Sequence, residues 1–137
     1  MAVKTYDPKK ILISIGSHMV TGYAEGTFVS IEPNSDGVSK EVGCDGEIVR
    51  SLSPDRSYKV TITVLQTSPT VAFAQKQYDM DMVTGEGIFP IMIKDLTGGV
   101  IFSSDSAWFV SSPSREYAKE ASERELNIDT GDATYTE

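Results

Sequence analysis

The sequence predicts a mainly β (α+β) fold, in which two packed antiparallel sheets form a sandwich or partial barrel with one flanking α-helix. Three observations support this fold class. Short runs of β-branched and aromatic residues recur along the chain, and turn-forming residues separate them. Residues 58–65 alternate apolar and polar side chains, as in an antiparallel strand with one buried face. One interior segment carries strong helical signals, and it begins at Ser68-Pro69.

The amino-terminal half is predicted to consist of strands around one long loop. Residues 11–32 are interpreted as two strands joined near Gly16 to Gly22, or as one long bent pair. Residues 33–46 are rich in Asn, Asp, Ser and Gly and contain little that can pack, so they are predicted to form a long exposed loop. Strands are predicted to follow at 47–51 and 58–65.

One helix is predicted after these strands. Ser68 is a suitable N-cap, Pro69 fits the first helical position, and Gly85 with Gly87 is expected to end the helix. The chain is then predicted to return as a hairpin of strands at 88–94 and 100–104.

The carboxyl-terminal region is predicted to contain a strand that begins near residue 122. In this strand Leu126 and Ile128 share one face, and the opposite face carries Glu123, Glu125, Asn127 and Asp129. Residues 115–121 have helical propensity, and their structure is left open. Residues 131–137 are expected to form a flexible tail.

The length and charge of the chain limit its function. Its 137 residues suit a single domain, taken as residues 1–137. There are 12 Lys and Arg against 20 Asp and Glu, and the net charge of −8 argues against a protein that grips nucleic acid by its phosphates. No apolar run approaches the roughly 18–20 residues that span a bilayer, and the first residues lack the apolar core of a signal peptide. Cys44 is the only cysteine, which excludes an intramolecular disulfide and indicates a reducing cytoplasm.

The sequence lacks catalytic and metal-binding patterns. His18 is the only histidine, and we expect it to lie exposed in a turn rather than to pair with Cys44 in a catalytic site. Asp79 and Asp81 do not fit the calcium-binding EF-hand pattern, because its central glycine and closing glutamate are missing. No glycine-rich phosphate-binding motif occurs. The sequence therefore predicts neither an enzyme nor a cofactor or metal site.

Residues 43–69 carry a specific family pattern. Residues 43–46 form a Gly-x-Asp-Gly turn before a short strand, and the strand at 58–65 ends in the run Leu65-Gln66-Thr67-Ser68-Pro69. Less specific similarity extends through residues 89–95 and 116–126. In these features the chain resembles a family of bacteriophage virion structural proteins, the tail tube proteins of long, contractile tails.

This resemblance implies a structural role in the virion tail. It implies hexameric rings that stack head-to-tail into a hollow tube, with contacts between rings made by the termini and by a long early loop. The candidate inter-ring residues in that loop are Asn34, Asp36, Lys40, Glu41 and Asp45. The resemblance also implies assembly in the host bacterial cytoplasm, the tail sheath and the tape-measure protein as partners, and passage of DNA through the lumen at ejection without specific binding.

If the chain is a tail tube protein, its excess of acidic side chains has a functional explanation. Residues 105–137 contain eight acidic and three basic side chains, so most of the excess negative charge lies in the last quarter of the chain. An acidic wall repels DNA over roughly 8 Å at physiological salt, whereas repeated basic rings would retain it. We hypothesise that Glu123, Glu125 and Asp129 line the lumen. A second possible lumenal row consists of Lys59, Thr61 and Thr63, and the alternative for both rows is an outer, solvated face.

Other functions remain open at this level. A related tube element, such as a baseplate tube initiator or the tube of a secretion or bacteriocin machine, would share the fold. A monomeric β-sandwich that binds carbohydrate would need exposed aromatic side chains, of which Trp108 and a few tyrosines are available. An enzyme is the least favoured class, because the residues for catalysis are missing.

Overall fold

The computed structural model describes residues 3–137, and within them the chain forms ten β-strands and one α-helix. A 3-10 turn at Pro8–Lys10 precedes the first strand. The helix, α1, spans Pro69–Thr84 and lies between β6 and β7 in the chain. The strands in chain order are β1 (Ile11–Ile15), β2 (His18–Met19), β3 (Val29–Pro33), β4 (Val38–Val42), β5 (Ile48–Leu52), β6 (Tyr58–Leu65), β7 (Phe89–Asp95), β8 (Ile101–Phe109), β9 (Glu123–Thr130) and β10 (Ala133–Thr136).

The strands form two antiparallel sheets of unequal size. Eight strands make up the larger sheet, in which the order is β2-β1-β7-β8-β9-β6-β3 and β10 pairs with β8. The smaller sheet is a hairpin of β4 and β5. The predicted fold class, mainly β with two antiparallel sheets and one helix, is confirmed.

The larger sheet curls so that β3 approaches β1. Ile11 of β1 and Val29 and Ile31 of β3 line one open cavity of about 330 Å³. The Tyr23 hydroxyl donates a hydrogen bond to the Ile11 carbonyl at 3.0 Å across the same region. The core is formed by the inward side chains of the curled sheet, and those with no solvent exposure include Ile13, Val60, Ile62, Phe102 and Ile128.

The clearest predicted strand, at 58–65, is β6 with the predicted ends. Val60 and Ile62 have no exposed surface, and β9 repeats the pattern with Leu126 and Ile128 inward. The two strands are neighbours, with Ile62 opposite Leu126 and Val60 opposite Ile128. The alternation in each strand therefore buries one joint face and exposes the other.

The helix begins and ends where the sequence predicts. Ser68 is the N-cap, and its Oγ accepts a hydrogen bond from the Thr70 amide at 3.2 Å. Gly85 ends the helix at a φ of +73°, a left-handed conformation that side chains with a Cβ rarely adopt. Thr70 and Ala74 are buried, and the partly buried Val71, Phe73 and Tyr78 also pack against the core.

The expectation that His18 lies exposed in a turn is wrong. Its ring is half-buried and stacks on Phe73 of α1, with the ring centroids 4.7 Å apart. Its Nε2 lies 2.9 Å from the hydroxyl oxygen of Thr70, which is 52 residues further along the chain. His18 therefore fastens β2 to the helix through contacts that local sequence cannot indicate.

Two segments have more regular structure than predicted. Residues 33–46 are exposed, but they include β4, which forms a hairpin with β5. The segment 131–137, expected to form a flexible tail, includes β10, which continues the register of β9 along β8. The Gly131 amide donates to the Ser106 carbonyl at 2.8 Å and carries the pairing across the interruption. In both segments a partner strand supplies hydrogen bonds that the short, polar sequences do not indicate.

Candidate assembly surfaces

The outward side chains of β6 and β9 form one continuous surface, which is polar except at Leu65. Directly paired residues of antiparallel strands point to the same side of a sheet. The register pairs the outward residues as Lys59 with Asp129, Thr61 with Asn127, and Thr63 with Glu125. We call these six residues, together with Glu123, the polar face. The structure therefore brings all the candidate lumenal residues together, and the two predicted rows are adjacent.

The polar face is acidic, and β3 extends it. Glu32 pairs with Lys59 on the side away from Asp129, so it adds a carboxylate to the three of β9. Glu32 was not predicted to belong to this surface. Its position after Val29 and Ile31, which alternate with polar residues in β3, was a usable signal.

The polar face contains a shallow hollow that is open to solvent. This cavity of about 460 Å³ is bounded by residues of β6 and β9 and by Asn34 and Val110. Asn34 Nδ2 donates a hydrogen bond to Asp129 Oδ1 at 3.0 Å. Such an open, polar hollow lacks the enclosure and apolar lining of a small-molecule site.

Residues 3–137 contain no group of three or more His, Cys, Asp and Glu side chains arranged to hold a metal ion. Cys44 is exposed in the turn of the β4–β5 hairpin, whereas His18 is engaged by Phe73 and Thr70. In the same part of the chain, no helix combines the length and apolar character needed to cross a bilayer.

The β4–β5 hairpin has two faces of different chemistry. All ten of its strand residues are exposed. One face, which we call the basic face, consists of three cross-strand pairs: Val38 with Leu52, Lys40 with Arg50, and Val42 with Ile48. Its four aliphatic side chains are each 51–72 % exposed. The other face carries Ser39, Glu41, Val49 and Ser51.

A polar network holds the root of this hairpin. Asp55 accepts hydrogen bonds from the Ser57 hydroxyl at 2.6 Å, the Ser57 amide at 3.0 Å and the Ser35 hydroxyl at 2.9 Å. These donors, the Ser57 hydroxyl above all, hold the pKa of the Asp55 carboxyl below its usual range. Asn34 Nδ2 also donates to the Ser57 hydroxyl oxygen at 3.0 Å. The network joins the segment that enters the hairpin to the segment that leaves it.

The candidate inter-ring residues are distributed over the whole hairpin. Lys40 and Glu41 lie in β4 on opposite faces, and Asp36 lies near its entry. Asp45 is in the turn, where its Oδ1 accepts from the Glu47 amide at 3.1 Å. Asn34 is at the root and bonds to Asp129 of the polar face. The structure therefore gives both Asp45 and Asn34 contacts within the subunit.

Comparison with known proteins places these surfaces in a family context. Residues 11–135 match the family described as "Bacteriophage PhiTE tail tube protein". The chain belongs to this family. It is also 27% identical over 139 residues to "Structural protein ORF10" of Pseudomonas phage KPP10, a match that covers 96% of this chain and 80% of that protein. The suspected phage tail tube relationship is confirmed, and the family is one of structural proteins rather than of enzymes.

Solved structures of contractile injection systems share the fold. The PVC sheath-tube complex in the extended state gives a TM-score of 0.64 at 13% identity, covering 96% of this chain and 91% of that chain. The PVC sheath/tube terminator in the extended state gives 0.63 at 11% identity with full coverage of both chains. The anti-feeding prophage cap gives 0.62 at 14% identity, covering 99% of this chain and 94% of that chain. The chain is thus a tail-tube-like structural protein of a phage virion tail.

Proposed function

We propose that this chain is the subunit of hexameric rings that stack into the phage tail tube, a conduit for DNA ejection. The observation that carries the proposal is the β4–β5 hairpin, whose ten strand residues are all exposed although four of them are aliphatic on one face. Large exposed apolar side chains grouped on one projecting element are typical of a surface that another molecule covers. In a tail tube protein, another copy of the chain is the natural partner.

The proposal assigns the polar face to the lumen. Its carboxylates at Glu123, Glu125 and Asp129, with Glu32 beside them, give a surface that repels DNA phosphates. A wall of this kind lets DNA move without holding it, because affinity for DNA rises steeply with the number of phosphates that cations neutralise. Lys59, Thr61 and Thr63 complete the same wall.

The proposed tube would have two further tail proteins as its partners. The tail sheath would surround the tube and the tape-measure protein would occupy its lumen, and the likeness to chains of a sheath-tube complex supports the first of these. The subunit would fold as one domain and assemble in the host bacterial cytoplasm. A baseplate tube initiator or a secretion or bacteriocin tube is the second candidate, which the likeness to injection-system chains favours.

Electron microscopy of the purified chain tests the proposal. We expect rings with six subunits, and stacks of such rings at high protein concentration. Light scattering on the same samples should show mass growing with concentration. A chain that stays monomeric in both measurements at high concentration would contradict the proposal, and rings of another subunit number would contradict the hexamer.

A further inference from the structure

No residue among the described positions 3–137 covers the basic face of the hairpin. Lys40 and Arg50 lie directly opposite each other, and like charges in that position destabilise a sheet. Aliphatic pairs flank them on both sides, Val38 with Leu52 and Val42 with Ile48. All six side chains are exposed, so a partner that fits this face must be apolar and acidic.

A surface with that chemistry lies at the carboxyl-terminal end of α1. We call it the acidic helix end; it consists of Asp79, Met80, Met82, Val83, Glu86 and Ile88, all of which are exposed. The exposed fractions of Met82 and Val83 are 69% and 85%, and that of Ile88 is 57%. Asp79 and Val83 are four residues apart and so share one side of the helix.

The backbone adds negative character at the same place. The last carbonyl groups of a helix carry a partial negative charge, which a Lys, Arg or His in the last turn normally offsets. The last turn of α1, whose residues all belong to the described part of the chain, contains no basic residue. A cation supplied by another molecule would therefore be stabilised there.

The two surfaces lie at opposite ends of the strands of the larger sheet. β6 begins just after the hairpin, at Tyr58, and ends just before α1, at Leu65. The antiparallel pairs β6–β9, β9–β8 and β8–β7 make β7 antiparallel to β6. β7 therefore begins at the same end of the sheet at which β6 ends. Both ends of α1 connect to that end of the sheet. Copies stacked head-to-tail would bring the hairpin of one copy toward the helix of the next.

We propose that the basic face of one copy docks on the acidic helix end of the next copy in the stack. This inference rests on the proposed tube function. Lys40 and Arg50 face Asp79, Glu86 and the helix carbonyls, while the aliphatic residues cover the exposed methionine, valine and isoleucine side chains. The polar face is the competing acidic surface, but its middle is occupied by Thr61, Thr63 and Asn127, whereas the basic face has its charges in the middle and aliphatic side chains on both sides.

Charge reversal with rescue tests the contact. Arg50→Glu and Glu86→Arg should each lower the fraction of protein that sediments as tubes by about tenfold, because each places like charges together. The double variant should recover most of the lost tubes. Lys119→Glu, the same charge change in an exposed segment outside both surfaces, should have no effect. Circular dichroism should be unchanged in every variant.

Crosslinking provides an independent measurement. Cys44 is the only cysteine and lies exposed in the turn of the hairpin, next to the basic face. Val83→Cys adds a second thiol on the acidic helix end. A short bismaleimide should then link assembled subunits into a ladder, which diluted, unassembled protein should not show. Met92→Cys, an equally simple change at an exposed position of β7, should give no ladder.

The outcomes separate this inference from the proposed function. A wild-type chain that forms no tubes overturns the proposed function and this contact with it. Wild-type tubes whose Arg50→Glu variant assembles normally, or whose double variant is not rescued, overturn the contact and leave the tube function standing. Wild-type tubes in which Val83→Cys gives no ladder also overturn it, since the turn of the hairpin would then lie away from the acidic helix end.

Discussion

At the scale of single residues, Asp55 shows how a fully exposed side chain acquires a structural role. Its carboxylate accepts three hydrogen bonds from Ser57 and Ser35, which lie on the two segments that meet at the root of the hairpin. These bonds favour the charged carboxylate and so lower its pKa. The charge state of Asp55 therefore controls how firmly the hairpin root is held.

Acid should weaken the hydrogen bonds that Asp55 accepts at the hairpin root. Because the pKa of Asp55 is lower in the folded state, the carboxylate stabilises the hairpin root fully above its unfolded-state pKa of about 3.9. The effect is lost as pH falls through the lower folded-state value. We expect hydrogen exchange at the Ser57 amide to be slow at neutral pH and to lose this protection only in acid. Asp55→Asn should reduce the protection at neutral pH, because a neutral amide oxygen is a weaker acceptor than a carboxylate.

The matched control for Asp55→Asn is Asp36→Asn, a neighbouring exposed change in the segment that enters β4. It should leave the Ser57 amide protected. Equal protection in the wild type and in Asp55→Asn at neutral pH would show that the carboxylate does not hold the root.

Single residues also show which parts of the structure can be predicted from the sequence alone. The outward positions of Lys59, Glu125 and Asp129 follow from alternation within one strand, so they were predictable. Their position on one joint face depends on the pairing of β6 with β9, which brings together residues 58 to 70 positions apart. The contact of His18 with Thr70 is non-local in the same way, and the prediction for His18 was wrong for that reason.

At the scale of elements, the hairpin is separable from the rest of the fold. Its strand residues are all exposed, whereas the core residues belong to the larger sheet and α1. The Ser53 amide donates to the Gly37 carbonyl at 2.8 Å, so the two ends of the hairpin already meet. A two-residue turn can join strands that lie this close.

Replacing residues 38–52 by an Asn-Gly turn should therefore leave the fold intact. We expect the free energy of unfolding to change by no more than about 1 kcal/mol, since no buried apolar surface is lost, and we expect tube assembly to be abolished. Chemical denaturation and electron microscopy measure the two effects. Ile128→Ala is the positive control, because truncating a fully buried isoleucine costs about 2–5 kcal/mol. A deletion that unfolds the chain, or that still forms tubes, would contradict this division of roles.

Elements differed in how well they could be predicted. β6 and α1 carry complete local signals: strict alternation in the strand, and a Ser-Pro start with a glycine stop for the helix. β4 and β10 are short and contain few apolar residues, and each is a strand because another strand pairs with it. The local sequence predicts strands close to β5 and β8, but it does not show that they pair with β4 and β10.

At the scale of the whole molecule, the distribution of charge gives a test of the lumen. Reversing Glu123 and Glu125 together to Lys replaces two negative charges per subunit with two positive ones. If the polar face lines the tube, rings of cations then face the channel and should hold DNA by its phosphates. We expect tubes of this double variant to co-sediment with short DNA at about 0.15 M salt, and to release it as the salt concentration rises.

The control for this experiment changes charge equally elsewhere. Glu116→Lys combined with Glu120→Lys reverses two exposed carboxylates in the segment before β9, outside the polar face. When tubes are assembled with short DNA and then treated with nuclease, DNA held by the Glu123/Glu125 variant should be protected inside the lumen, whereas any DNA bound to the outside of the control should be digested. Digestion of the DNA in both double variants would place the polar face on the outside of the assembly.

If the basic face docks on the acidic helix end, the opposite positions of the two surfaces give the stack a direction. A contact between two unlike surfaces leaves one of each unused at the ends of a stack, however many layers have been added. The next layer always meets the same surface as the one before, so nothing in the subunit marks the final layer. Growth of such a stack proceeds layer by layer without an internal stop, and its length has to be measured by a molecule other than this chain.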